Sequence, residues 1–152
     1  MNNYIKVHIK CNLQEHGHED TESLWAIEKN GYIYIRNIPF YIYGLAYDDQ
    51  VEIKLFNDIK YVVGIIHHSG HSTIRIYFFD KDLVKEEVIK IKKLGCDVEI
   101  SDNPKLVALD IPKNVSFKTI KDYLNEGLEN NLWDFEESCL SSFHWEKYKN
   151  KI

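Results

Sequence analysis

Residues 72–95 read STIRIYFFDKDLVKEEVIKIKKLG, and within this stretch the hydrophobic pattern changes period. Residues 73–79 are β-branched and aromatic, the composition of a strand. Asp80 is placed to cap a helix, because its carboxylate can accept the free N–H groups of a first turn. Val84, Val88, Ile91 and Leu94 then recur at helical spacing, with Lys85, Glu86, Lys92 and Lys93 off the stripe. Gly95 stands where a helix C-terminus needs a left-handed residue. Downstream, residues 96–100 and 105–111 read as strands joined by Ser101-Asp102-Asn103-Pro104. Ser116 is placed to cap a second helix, with apolar stripe Phe117, Ile120, Leu124 and Leu128 and its end at Asn130-Asn131. The order β-α-β-β-α is that of a split βαβ, ferredoxin-like unit whose last strand is missing or disguised. Residues 132–152 are an aromatic and acidic stretch followed by a basic tail expected to fray.

Upstream of residue 72 the period is two. In residues 4–11, Tyr4, Lys6, His8 and Lys10 alternate with Ile5, Val7, Ile9 and Cys11, the mark of a half-buried strand. Residues 13–23 are polar and read as a loop or extended connection. Residues 24–28 and 32–36 flank Lys29-Asn30-Gly31, and Asn-Gly tolerates the positive φ of a tight hairpin. Residues 51–56 and 59–66 form a second hairpin around Asn57-Asp58. Between the hairpins, residues 37–47 hold Pro39 and Gly44 and read as an aromatic-rich crossing loop. The expected fold is α+β: a small SH3- or OB-like β-barrel over residues 1–72, sharing a core with a ferredoxin-like half over residues 73–152. Trp25 and Phe40 are expected to be buried, Gly70 to bend at positive φ, and Arg75 to lie beside a carboxylate such as Glu52.

The chain has 152 residues, 44% hydrophobic and 28% charged, which is the size of one domain or two very small ones. Nineteen Lys+Arg against 24 Asp+Glu leave a net charge of −5. That balance argues against binding to nucleic-acid backbones or anionic membranes, both of which need clustered positive charge. The uncharged stretch 38–47 is far short of the roughly 20 apolar residues of a spanning helix. No secretory leader is visible, and Cys11, Cys96 and Cys139 are widely spaced, which fits reduced thiols in a cytoplasmic protein.

Several short stretches together resemble a known family. They are Glu22-Ser23-Leu24-Trp25-Ala26; Arg36-Asn37-Ile38-Pro39-Phe40 after Tyr34; Tyr43-Gly44-Leu45-Ala46-Tyr47-Asp48-Asp49 before Val51; and Ser69-Gly70-His71-Ser72-Thr73-Ile74-Arg75. In this order they are similar to domain-of-unknown-function family 4265, a bacterial family of small proteins. The resemblance is strongest over residues 22–76 and continues weakly to residues 133–140. Asp49 departs from the glycine of the family's Gly-Asp turn. The family has no established activity, so the resemblance implies a fold more than a function.

Chemistry-bearing motifs are sparse. His16, His18, His67, His68 and His71 lack carboxylates at ligand spacing, so no metal is expected. Ser69-Gly70-His71-Ser72 is not a nucleophile elbow, and it reads as a turn held by its serines. There is no glycine-rich phosphate loop, and no cofactor is expected. Tyr77, Phe78 and Phe79 sit among acidic residues, which disfavours RNA reading.

Charge near the end of the chain is more informative. Between Lys121 and Lys147 there is no Lys or Arg, while Asp122, Glu126, Glu129, Asp134, Glu136 and Glu137 are all acidic. Asp122, Glu126 and Glu129 share one helical face, opposite the apolar stripe. With Trp133, Phe135 and Trp145 as aromatic anchors, this pattern reads as an acidic protein-docking surface. The expected function is a non-enzymatic immunity protein that neutralises a cognate toxin, such as a nuclease, by covering its basic site. The alternative is a small-molecule-binding or regulatory domain with an aromatic pocket at Tyr41, Tyr43 and Tyr47.

Overall fold

The computed structural model describes residues 3–13 and 18–151 and is mixed α+β, with two sheets and three α-helices. In the first sheet β1 (Asn3–Leu13), β2 (His18–Lys29), β3 (Tyr32–Ile35), β4 (Gln50–Phe56) and β5 (Ile59–His67) pair in sequence order. The ring closes through a parallel contact of His8 with Tyr61. Both expected hairpins form, and their turns adopt left-handed φ at Asn30 (54°), Gly31 (81°), Asn57 (50°) and Asp58 (63°). The polar stretch before Leu24 is not a loop: residues 18–23 extend β2 and pair with β1 up to Leu13.

The second sheet holds β6 (Ser72–Phe78), β7 (Asp97–Ile100), β8 (Leu106–Ile111) and β9 (Trp133–Cys139) in the order β7-β8-β6-β9, all antiparallel. β9 is the strand that the periodicity hides. α1 (Val84–Lys93) follows a 3-10 turn at Lys81–Leu83, where Asp80 accepts the Asp82 N–H. In α2 (Phe117–Glu129) the Ser116 hydroxyl accepts from the Thr119 N–H. The tail forms α3 (Ser142–Tyr148), capped by Ser141, and a final turn at Lys149–Lys151. Among the described residues no helix is long and apolar enough to cross a membrane.

Burial departs from expectation at a few positions. Trp25 is 46% exposed, with the Lys6 ammonium 4.6 Å over its ring, and Phe40 is only half-buried. Leu128 is exposed, and Gly127 takes its place on the buried face of α2, against the Trp133 ring. The left-handed residue in the 47–49 turn is Asp48 (φ 67°) and not Asp49.

The two halves do not share one apolar core. Val7, Leu24, Ala26, Ile35, Val51 and Val62 fill the ring, with Ile42 and Leu45 from the crossing loop. A separate cluster joins Ile74, Ile76, Phe78, Val107, Leu109 and Ile111 to α1, α2 and Trp133. The seam between them is polar because it must satisfy the irregular backbone of the crossing loop, whose buried N–H and C=O groups would otherwise go unpaired. Glu22, 7% exposed, accepts the N–H groups of Phe40, Tyr41 and Ile42 at 2.7, 3.1 and 3.2 Å. Asp49 accepts from Ala46 and Ser69, and Glu99 from Ile38 and the Asn37 amide. Arg75 donates to the Ile42 carbonyl (3.1 Å), and its carboxylate partner is Glu136 (2.7 Å) rather than Glu52.

Candidate functional site

α2 is held to the fold through its apolar face. Phe117, Ile120 and Leu124 are buried, and the Trp133 indole N–H donates to the Leu124 carbonyl at 3.0 Å. Its exposed face carries Asp122, Glu126 and Glu129. Asp134, Glu136 and Glu137 stand in β9, with Asp134 and Glu136 alternating away from the α2-facing Trp133, and the structure divides the six into two groups. Asp122 is paired with Lys118 at 2.6 Å, Glu137 is bonded to Lys121, and Glu136 holds both Arg75 and the Tyr43 hydroxyl (2.8 Å). These three are neutralised within the protein. Glu126 and Glu129, in the last turn of α2, and Asp134, in β9, are exposed and have no basic side chain within ion-pair distance among the described residues. No basic residue stands in that last turn, where the helix dipole already presents partial negative charge.

Trp133 is not a surface anchor. It is 1% exposed, in edge contact with Phe78 and packed against Tyr123. Trp145, 43% exposed, faces outward but stands beside Tyr148 at the start of α2, away from Glu126 and Glu129, and Phe135 is half-buried. The three tyrosines point to different partners. Tyr43 lies over Arg75 with its hydroxyl on Glu136, Tyr47 accepts from Arg36, and Tyr41 is 54% exposed.

His71 has a role that the sequence reading missed. Its Nδ1 lies 2.8 and 3.0 Å from the carboxylate oxygens of Asp110, itself 2% exposed. The bond to Asp110 raises the His71 pKa against the opposing effect of burial, while burial holds Asp110 above the usual carboxylate range. His144 behaves oppositely. Burial lowers its pKa, and its Nε2–H donates to the Pro112 carbonyl (3.0 Å) while Nδ1 faces the Ser72 hydroxyl (2.6 Å). No local spacing signals either pairing, because His71 and Asp110 are 39 residues apart and Ser72 and His144 are 72 apart. The thiols are buried and held protonated, Cys96 pushed up to about 12 and Cys139 to about 11 by desolvation. A nucleophilic cysteine needs the opposite shift. His16 and the side chain of His18 lie outside the described residues, and among those described no three metal-ligating side chains converge.

The family model of a domain of unknown function (DUF4265) matches residues 22–135, and the chain belongs to that family. A crystal structure of a hypothetical protein from Neisseria gonorrhoeae shares the fold, with a TM-score of 0.72 at 24% identity, over 90% of this chain and 96% of that one. No curated protein matches the chain.

Proposed function

We propose that this DUF4265 protein is a non-enzymatic, cytoplasmic binding protein, an immunity factor whose partner is a cognate toxin with a basic surface, and not a nucleic acid or a membrane. The observation that carries this reading is the position of Glu126 and Glu129 at the negative end of the α2 dipole, with Asp134 as a third unpaired carboxylate. Exposed charge set against a dipole costs local stability, roughly 0.3–1 kcal/mol per group. A complementary basic partner offsets that cost and is steered to the site by the same field. In finer fold terms, we read the strand ring as an SH3- or OB-like barrel and the second half as a ferredoxin-like unit completed by β9.

The test pairs this protein with the product of the reading frame next to its gene. Association kinetics would be measured for the wild type and for a Glu126→Lys, Glu129→Lys, Asp134→Lys variant. The expected result is a tight wild-type complex, and a variant that associates about ten-fold more slowly at low salt, with the difference shrinking as salt screens it. Equal association rates at low salt would rule out the acidic end as the docking surface.

A further inference from the structure

The opposite end of α2 carries the opposite charge. Lys113, Lys118, Lys147 and Lys151 line one cleft of about 170 Å³ between the start of α2 and the last turns of the chain, together with Ser116 and Tyr148. The cleft floor supplies no counter-charge. Phe117 is buried, with Tyr148 packed edge-on at 5.0 Å, and desolvation pushes the buried His144 toward its neutral form against the opposing effect of its bond to Pro112. Lys118 has Asp122 as a partner, but among the described residues no carboxylate lies within ion-pair distance of Lys113, Lys147 or Lys151. Two of these ammonium groups share one aromatic ring beside the cleft, with Lys113 Nζ 4.8 Å and Lys147 Nζ 4.3 Å from the centre of Phe143.

In a chain of net charge −5, four lysines on the wall of one concavity are not a by-product of a basic composition. We propose that this cleft is a binding site for a small phosphate-bearing ligand. Lysines act as point charges around a dianion, and the Ser116 and Tyr148 hydroxyls are further donors at the same wall. The first turn of α2 contains no carboxylate that would compete for the lysines. Size narrows the class. About 170 Å³ is below the roughly 300–1,000 Å³ of sites for drug-sized ligands, so the cleft fits a phosphate group with a short substituent rather than a nucleotide. A nucleic acid would need a basic stripe along the surface, and the positive charge here is confined to one concavity. This inference rests on the lysine cleft alone and stands apart from the docking surface at the other end of the helix.

The test is a titration with inorganic phosphate at constant ionic strength, followed through backbone amide shifts, with chloride as the control. Saturable shifts confined to residues 113–119 and 147–151 are expected, and a Lys113→Gln, Lys147→Gln variant should bind about ten-fold more weakly or worse, as expected when two charge-assisted contacts are lost. Shifts spread equally over the lysines of α1, or reproduced by chloride, would mean ionic screening only and would overturn the proposal, as would unchanged affinity in the double variant. Should that variant fail to fold, Lys151→Gln in the exposed terminal turn must weaken phosphate binding several-fold, and unaltered affinity there overturns the proposal equally.

Discussion

The two long helices pack on the same sheet and treat their dipoles in opposite ways. α1 carries Glu86 and Glu87 in its first turn and Lys90, Lys92 and Lys93 in its last, each sign facing the partial charge that stabilises it. α2 has no carboxylate in its first turn, which Lys118 occupies, and no basic residue in its last, where Glu126 and Glu129 stand. The apolar stripes are equally well formed, so burial does not explain the difference. α1 has the charge pattern of a helix that only has to be stable. α2 is set against its own dipole at both ends, and those ends are the two surfaces to which binding is assigned above.

Because α2 gains nothing from its end charges, it should depend more heavily on its packing. The most damaging small change is therefore Gly127→Ala. A Cβ at that position would lie 1.9 Å from the Trp133 ring, so the helix must lift off the sheet. The expected loss is about 3 kcal/mol in urea unfolding, at the upper end of overpacking costs. A loss within a few tenths of a kcal/mol would mean that α2 is not seated on Trp133. Next in size is Gly70→Val, at the bend that leads from the ring into β6. Gly70 has φ 94°, and its absent Cβ would press on the Lys113 side chain at 3.0 Å, so the substitution should cost about 2 kcal/mol.

The paired histidines flanking β6 sharpen the contrast between the halves through pH. His71 has its folded pKa raised above the ordinary 6.5 by Asp110, so the stability it contributes is complete below 6.5 and is lost as pH rises through the folded value. His144 has its folded pKa lowered by burial, so its contribution is complete above 6.5 and is lost as pH falls through the folded value. Unfolding midpoints measured from pH 5 to 9 should show His71→Gln flattening the alkaline limb and His144→Gln flattening the acidic one. The same limb flattened in both variants would contradict the assignments.

How much of this could be read in the sequence depended on how local the deciding interaction was. Asn30-Gly31, Asn57-Asp58, Gly95 and Ser116 act within a few residues of themselves, so both hairpins, the start of α2 and the end of α1 were legible, whereas Asp80 caps the 3-10 turn ahead of α1 and not α1 itself. β9 was not, because its alternation sets Trp133 in the core against Asp134 and Glu136 on the other face, and the charges mask the strand. The same masking made Trp133 look like a surface anchor. The polar seam was illegible for a different reason. Arg75 meets Glu136 across 61 residues and Asn37 meets Glu99 across 62, and which carboxylate serves which loop amide is decided only once both halves are folded. Of the acidic surface, the composition was legible, but its division into neutralised and unpaired carboxylates was not.

The smallest expected effect tests the contrast between the helices most directly. Unfolding free energies would be measured in low and high salt for Glu126→Gln, Glu129→Lys in α2 and for Lys92→Glu, Lys93→Glu in α1. Gln is chosen at position 126 because Lys90 of α1 lies within the field of Glu126. At low salt the α2 variant should gain about 0.5–1 kcal/mol and the α1 variant should lose a similar amount, with both changes fading at high salt. A loss of stability in the α2 variant at low salt would contradict the account, because Glu126 and Glu129 would then be stabilising the helix they are said to oppose.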